Sequence, residues 1–321
     1  LHNRCRRQRQ MCIRDRSQLH RFLNCIGGYT RSKFTYSFAA AEAMVPHILG
    51  SYRAYLDTCT SWDSIEENTE LFVCFGGVPL KNGQIAQGGT GSHNQKEKLI
   101  SSAKAGIKFV NLSPLKSDLL DEVKGKWLPL RPNTDVAIML GLAHTLYKEN
   151  LYSEIFIKKY TEGFDNFLPY LLGDLDGVVK DANWASEISE ISSDEIISLA
   201  RDMSSKRTMI SVSWSLTRQD HGEQPFWAAI MLASMLGQIG LPGGGFGFGY
   251  SATNHIGGQF SIIPGAAFPQ SDNKIDNFIP VARISDLLLN PGETFHFDGK
   301  EYEYPDICLL YTSDAADDTC C

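Results

Sequence analysis

Short apolar runs alternate with helical patterns through the middle of the chain. Leu71–Phe75 is an unbroken apolar run that ends in glycines, residues 98–105 have helical spacing, and Ile107–Leu112 is a second β-rich run. Continuous apolar runs of this length are typical of strands buried on both faces, and the pattern between them indicates a helix. The sequence therefore predicts a β-α-β unit.

The alternation continues further along the chain. Helical spacing begins at Thr134. A capping-box pattern is formed by Ser192 and Glu195, and residues 209–212 are typical of a third buried strand. Another helix is expected over 227–236, ended by Gly237. Strands that alternate with helices predict the α/β class, with mostly parallel, Rossmann-like layered sheets and helices on both faces.

Glycine or polar residues follow each predicted strand. Gly76 and Gly77 follow the first, residues 111–114 follow the second, and Ser213 with Trp214 follow the third. In open parallel sheets, ligands bind in the crevice beyond the carboxyl ends of the strands. We therefore expect three loops to converge on one crevice.

The composition changes abruptly near both ends of the chain. Residues 1–16 carry six Arg without an apolar period, and residues 308–321 carry three Cys and an Asp/Ala run. Both ends resemble translated sequencing adapter, so neither is expected to belong to the native fold. Residues 17–307 are expected to be an internal fragment of a larger protein.

The charge balance is acidic, with a net charge of −7 at pH 7, and it becomes more acidic without the two ends. Nucleic acids and anionic membranes require a basic footprint, so both are disfavoured as partners. Transmembrane segments are not expected, because no apolar run is long enough. Between the two ends the chain has three cysteines, Cys25, Cys59 and Cys74. Their odd number and the lack of CxxC spacing disfavour a disulfide framework, a zinc site or an iron-sulfur site. A small-molecule enzyme is expected.

Several residues have both a structural and a functional interpretation. Ser37 precedes an alanine run, where serine is typical of a helix N-cap. The Gly76-Gly77 segment does not match GxGxxG, which disfavours a conventional nicotinamide site and leaves a tight turn as the alternative. Asp135 begins a helix, where the dipole favours a carboxylate whatever its function.

The third strand is followed by an unusually polar segment. Trp214 alone could be a core aromatic, but Arg218, Gln219 and Glu223 follow it closely. That density of donors and acceptors suits a buried ligand whose own polar groups need matched partners. The glycine cluster at 243–245, with the aromatic alternation that follows it, is either a second loop that approaches a ligand closely or a flexible turn.

Taken in order, five segments of the chain resemble one family, the dimethyl sulfoxide reductase family of molybdopterin oxidoreductases. The resemblance is to the branch that holds trimethylamine N-oxide reductase and biotin sulfoxide reductase, and it covers about Ser17 to Ile307. It is carried by the segments 27–42, 75–82, 133–137, 213–224 and 241–248.

The resemblance implies molybdenum in a bis-molybdopterin guanine dinucleotide cofactor, with Ser37 as catalytic residue and metal ligand. A serine oxygen is a hard donor suited to a high-valent metal. Asp135 would select guanine by accepting its two donors. The implied cofactor-binding residues are Gly76, Gly77, Pro79, Lys81, Asn82, Asn111, Ser113, Pro114, Asp135, Ser213, Trp214, Arg218, Gln219, Gly222, Glu223, Gly244 and Gly245.

The resemblance also implies a domain arrangement within a larger multi-domain fold. Residues 17–70 would belong to the region that bears the metal ligand. Residues 71–307 would form the dinucleotide-binding region, which could comprise two interleaved domains. The fragment alone is expected to be inactive.

The implied reaction is reduction of an S-oxide or N-oxide with two electrons and two protons. Trimethylamine N-oxide, dimethyl sulfoxide, biotin sulfoxide and methionine sulfoxide are the expected substrates, and serine at position 37 disfavours nitrate reductase or formate dehydrogenase activity. Family precedent permits periplasmic and cytoplasmic members, and branch analogy favours the periplasm and anaerobic respiration, with a cytochrome or small redox protein as electron donor. The alternative is a cofactor-free α/β module that binds a small solute.

Overall fold

The computed structural model describes residues 16–81, 83, 89–258, 260–262 and 269–306. The described residues divide into two compact units, one within residues 40–262 and the other formed by residues 16–39 together with 269–306. Apart from Arg16, the two ends that are predicted to be non-native lie outside the described residues.

The helices are short to medium in length. They run over Arg16–Ile26 (α1), Ala39–Met44 (α2), Pro46–Leu49 (α3), Tyr52–Asp57 (α4), Trp62–Asn68 (α5), Gln95–Lys104 (α6), Asp135–Lys148 (α7), Glu154–Tyr160 (α8), Phe164–Leu171 (α9), Ala182–Ser189 (α10), Ser193–Ser205 (α11), Gln224–Leu236 (α12) and Ile284–Leu289 (α13). Among the described residues, no helix combines the length and apolar content that crossing a bilayer requires.

The strands form one five-stranded sheet and three two-stranded pairs within the described residues. They run over Arg31–Lys33 (β1), Leu71–Phe75 (β2), Gly89–Gly91 (β3), Lys108–Leu112 (β4), Lys126–Leu128 (β5), Thr208–Val212 (β6), Gly245–Phe248 (β7), Phe260–Ile262 (β8), Phe278–Pro280 (β9), Thr294–Phe297 (β10) and Lys300–Glu303 (β11).

The five-stranded sheet has the order β5-β4-β2-β6-β7, and every neighbouring pair is parallel. β2 lies at its centre, and all five of its residues are buried. Val73 of β2 is in register with Val110 of β4 and Ile210 of β6. Burial on both faces explains why β2 is a continuous apolar run and why β4 and β6 are mainly apolar.

Helices cover both faces of this sheet. Trp62 of α5 stacks on Phe72, with ring centroids 5.7 Å apart. Phe226 of α12 meets Phe248 edge to face at 4.8 Å. Phe248 is in register with Val212, and thus lies on the face opposite Phe72. The predicted α/β class, with a mostly parallel sheet between helices, is confirmed.

The three strands and four helices that the sequence predicts for this unit are all present. Ser192 caps α11, because its side-chain oxygen accepts a hydrogen bond from the Glu195 amide at 3.3 Å. Gly237 ends α12 in a left-handed conformation with φ 67°. The sequence does not predict β5, since its three residues give too short a pattern.

One local interpretation is wrong. The sequence suggests a loop or a turn from residue 243 onward, but residues 245–248 form β7, an edge strand of the sheet. Glycine weakens a strand pattern because it has no side chain to alternate. The Gly-Phe-Gly-Phe sequence therefore conceals a strand whose two phenylalanines share one face.

The other unit joins residues 16–39 to residues 269–306. β1 pairs in parallel with β9, and β10 with β11 form an antiparallel hairpin. Asn273 links the two segments, since its amide oxygen accepts from the Tyr29 amide at 3.1 Å and its amide nitrogen donates to the Tyr29 carbonyl at 2.8 Å. Phe295 stacks on Tyr304 in its core at 4.6 Å. The functional division at residue 70 stays a prediction.

The loops at the carboxyl edge of the sheet interlock through glycines. Gly76 donates its amide to the Leu112 carbonyl at 2.9 Å, and a Cβ at Gly76 would lie 2.8 Å from Ser213 Cβ. A Cβ at Gly77 would lie 2.5 Å from the Asp118 carbonyl oxygen. Both glycines have positive φ, 78° and 75°. Only glycine combines this conformation with such a close approach.

Gly77→Ala should therefore lower the free energy of unfolding by about 2–4 kcal/mol, from left-handed strain plus a backbone clash. Gly163→Ala is the matched control, since Gly163 has φ 85° and no atom lies within 4 Å of the position that a Cβ would occupy there. We expect this control to lose only about 1–2 kcal/mol. Urea denaturation of both variants checks the difference, and equal losses would contradict the close packing of these loops.

Candidate functional site

Three loops meet at the carboxyl edge of the five-stranded sheet. Because β2, β4 and β6 are parallel neighbours, the residues that follow them emerge at the same edge. The Ser213 amide donates to the Phe75 carbonyl at 2.9 Å, which ties the loop after β6 to the end of β2. The structure thus has the predicted convergence of the loops that carry Gly76, Ser113 and Ser213.

A small polar network fixes the loop after β4. Ser113 Oγ donates to Asp118 Oδ2 at 2.7 Å, and Lys81 Nζ lies 3.4 Å from Asp118 Oδ1. The Val78 amide donates to the Asp118 carbonyl at 2.7 Å. Lys81 is exposed, so this ion pair contributes little to stability, and its charge remains accessible to a ligand.

The sequence does not single out Asp118. It follows Ser113 by five residues in a short polar stretch, and nothing in that spacing distinguishes it from a solvated acid. Its role depends on the approach of the Gly77 turn, which is a tertiary contact. Pro79 and Pro114 flank the two turns, half-buried and exposed respectively.

Asp135 is a buried carboxylate at the first position of α7. The residue is only 2% exposed, and among the described residues no other side chain donates a hydrogen bond to it. Burial raises the pKa of the Asp135 carboxyl to about 7, and the hydrogen bond from its own backbone amide opposes that rise. A buried carboxylate of this kind is stabilised by a ligand that brings hydrogen-bond donors.

The loop after β6 begins with a short 3-10 helix over Trp214–Arg218. Trp214 is 9% exposed, and a Cβ at Gly249 would lie 2.2 Å from its indole Nε1. Gly249 follows β7, so the absence of a side chain there makes room for the indole at the carboxyl edge. Sequence reasoning misses Gly249, because its role appears only when β7 is recognised as a strand.

The polar residues beyond Trp214 fold back on this 3-10 helix. A Cβ at Gly222 would lie 2.2 Å from the Thr217 carbonyl oxygen, so Gly222 permits the tight return of the chain. Arg218 is exposed, whereas Gln219 and Glu223 are half-buried. Glu223 immediately precedes α12.

Not every predicted site residue lies at this edge. Gly244 and Gly245 are at the amino end of β7, since Gly245 is in register with Met209 at the start of β6. In a parallel sheet that places them at the opposite edge, so they do not belong with the Gly76 and Ser213 loops. There Gly244 makes room for Gln238 and Arg207, because its Cβ would lie within 3.1 Å of both side chains.

Three further residues have distinct positions. Asn111 lies in β4, 1% exposed, and lines a cavity formed by residues 111–127. Ser37 belongs to the unit of residues 16–39 and 269–306, in the turn before α2, and its Oγ donates to Thr35 Oγ1 at 3.2 Å. α2 begins at Ala39, one residue later than a Ser37 cap would require. Asn82 lies outside the described residues.

Comparison with known proteins identifies the family. The profile of the family described as molybdopterin oxidoreductase matches residues 16–297. The chain is 44% identical over 295 residues to biotin sulfoxide reductase of Cereibacter sphaeroides, covering 92% of this chain and 40% of that protein.

Two other relatives give similar values. Identity is 40% over 309 residues to trimethylamine-N-oxide reductase of Haemophilus influenzae, covering 92% of this chain and 37% of the relative. It is also 40% over 305 residues to dimethyl sulfoxide/trimethylamine N-oxide reductase of Rhodobacter capsulatus, covering 91% and 37%. The chain thus spans about two fifths of the length of these relatives. The family match extends over most of the sequence, and the chain belongs to the molybdopterin oxidoreductase family.

Proposed function

We propose that the chain is part of a molybdenum-dependent reductase that removes an oxygen atom from an S-oxide or N-oxide. Its similarity to three reductases of such oxides, over more than nine tenths of its length, carries this proposal. Family membership implies molybdenum and a molybdopterin cofactor. The same membership argues against the alternative of a cofactor-free solute-binding module.

We propose the guanine dinucleotide form of the cofactor, because Asp135 suits guanine. The pairing edge of guanine presents two donors that a single carboxylate can accept together, whereas adenine presents a donor and an acceptor. The Asp135 side chain is buried at a helix N-terminus, and a base with two donors would satisfy it. Such a base would also oppose the effect of burial, which raises the pKa of this carboxyl.

The loops at the carboxyl edge have features that fit the rest of the dinucleotide. The Gly76 amide is bonded to the Leu112 carbonyl, so we propose that the Gly77 amide is the one that approaches a pyrophosphate. Lys81 and Arg218 supply exposed positive charge on two of the loops. Trp214, held against Gly249, offers an aromatic wall for a pterin or base. We retain these residues, with Ser113, Gln219 and Glu223, as the proposed binding set.

We propose Ser37 as the protein ligand of molybdenum. When bound, the cofactor supplies the two-electron oxygen-atom chemistry, and the protein provides binding, orientation and access. A serine alkoxide is a hard donor that matches a high-valent metal. The turn that carries Ser37 is held in its unit by Tyr36, whose hydroxyl donates to the Val281 carbonyl at 2.8 Å.

Branch analogy extends the proposal to the cellular setting. We propose a periplasmic location and a cytochrome or small redox protein as electron donor, as in anaerobic respiration. The substrate would be one of the small oxides named for the relatives or a related sulfoxide. Cell fractionation that places the full-length protein in the cytoplasm would contradict the location.

Asp135→Asn should weaken binding of GDP to the chain by about 10- to 100-fold, since it removes a charged acceptor of two hydrogen bonds. ADP binding should change little. Asp165→Asn is the matched control, because Asp165 is also an acid in the first turn of a helix but is exposed. Isothermal titration above pH 7 checks both variants, and an equal response to GDP and ADP would contradict guanine selection.

The same carboxyl gives a pH signature. Its folded pKa is raised from 3.8 to about 7, so its contribution to stability is full below pH 4 and is lost as the pH rises through 7. Asp135→Asn should therefore be more stable than the parent chain at pH 8, by roughly 2–4 kcal/mol, and similar to it at pH 4. Denaturation at the two pH values checks this, and a variant destabilised at pH 8 would indicate an unrecognised cationic partner.

Ser37→Ala in a full-length protein that contains this chain should remove one oxygen ligand from molybdenum and lower turnover by at least about 100-fold. X-ray absorption spectroscopy at the molybdenum edge detects the loss of this oxygen ligand independently of activity. Thr35→Ala is the control, because it removes the neighbouring hydroxyl that accepts from Ser37. Unchanged molybdenum spectra and turnover in Ser37→Ala would remove Ser37 from the coordination sphere.

A further inference from the structure

The ammonium group of Lys33 lies among three phenylalanine rings. Its Nζ is 5.4 Å from the ring centroid of Phe34, 4.8 Å from that of Phe278 and 4.4 Å from that of Phe297. All three distances are within the range of roughly 6 Å over which an aromatic ring attracts a cation. We name this arrangement the Lys33 cage.

The walls of the Lys33 cage come from distant parts of the sequence within a single compact unit. Phe34 follows β1, Phe278 begins β9 and Phe297 ends β10. Phe278 and Phe297 pack edge to face with ring centroids 5.3 Å apart, and Phe34 lies 6.0 Å from Phe297. The parallel pairing of β1 with β9 sets Lys33 opposite Pro280, so the lysine and one wall are held in register.

Aromatic rings, rather than a carboxylate, attract this charge. Lys33 is half-buried, and the ion pairs of the described part of the chain do not include it. A lysine ammonium is strongly hydrated, so its partial burial is unfavourable unless other groups replace the lost water. The negative faces of the phenylalanine rings provide that replacement.

Residues 34–37, which we call the Ser37 segment, lead from the Lys33 cage to the proposed metal ligand. Phe34 has φ 67°, a left-handed conformation that is rare for a bulky residue. Such a conformation persists only where surrounding contacts hold it. The Phe34 ring is held in the cage, and the Tyr36 hydroxyl donates to the Val281 carbonyl at 2.8 Å. The cage therefore fixes the start of the Ser37 segment.

We propose that Lys33 is a positioning residue for Ser37. Its attraction to the three rings holds Phe34 in the left-handed conformation, and this conformation directs the chain so that the Ser37 hydroxyl occupies one position. A reactive group that is misplaced by about 1 Å loses much of its effect. The inference rests on the proposed function, since only there is Ser37 a ligand of molybdenum.

Lys33→Met in a full-length protein that contains this chain tests the proposal, because methionine keeps an unbranched apolar stem and removes the charge. Amide hydrogen exchange in the Ser37 segment should become about 2- to 30-fold faster, which is the range that cation–π energies imply. X-ray absorption spectroscopy should show a weaker or more variable oxygen ligand at unchanged molybdenum content. We expect kcat to fall by up to the same factor and KM to change little, since substrate contacts are untouched.

Three further variants separate attraction for the cation from shape. Lys33→Arg keeps the cation and should restore most of the protection from exchange. Fluorinated phenylalanines at position 297 weaken the negative face of the ring with little change in size, so exchange should rise stepwise with the number of fluorines. Lys159→Met is the matched control, because Lys159 is exposed and its Nζ lies 5.0 Å from one ring, that of Tyr160. It should leave the Ser37 segment and the molybdenum spectrum unchanged.

Several outcomes would overturn the proposal. Unchanged exchange in Lys33→Met would mean that the cage does not hold the Ser37 segment. Faster exchange with unchanged molybdenum spectra and kcat would mean that the held segment does not position the ligand. Equal exchange across the fluorinated series would mean that the rings act through shape alone. Failure of the Ser37 assignment is recognised separately, because Ser37→Ala would then leave the molybdenum spectrum unchanged whatever the exchange rates of the cage variants.

Discussion

The parallel pairing of β2 with both β4 and β6 is the constraint on which the candidate site depends. β2 is buried along its whole length, and its register aligns the ends of the two neighbouring strands with its own. Three loops consequently leave the sheet at one edge. A shift of one strand by a single residue would move its side chains to the wrong faces and separate the loops, so burial fixes the register and the register fixes the site.

Two glycines allow the aligned loops to pack in close contact. The turn after β2 fits against Ser213 and Asp118 only because Gly76 and Gly77 lack side chains. Asp118 in turn holds Ser113 and Lys81. The turn after β2 and the loop after β6 carry Lys81 and Arg218, so exposed positive side chains lie at this edge and suit a phosphate-containing cofactor.

The sequence predicted the buried strands and the capped helices because their signals are local. β2 is a continuous apolar run, β4 and β6 are mainly apolar, and Ser192 caps α11 as its spacing indicated. β7 was missed because alternating glycines remove half of its pattern, and the error placed Gly244 and Gly245 at the wrong edge of the sheet. Asp118 and Gly249 act through residues distant in sequence, Gly77 and Trp214, so no local pattern marks them.

The cofactor content is the most direct test, because the family implies molybdopterin and the buried Asp135 favours guanine. The decisive measurement is the stoichiometry of molybdenum and of guanine nucleotide released by acid from a purified full-length protein that contains this chain. We expect two guanosine monophosphates for each molybdenum. Molybdenum without guanine nucleotide, or protein that takes up no molybdenum when molybdate is supplied, would contradict the proposed function.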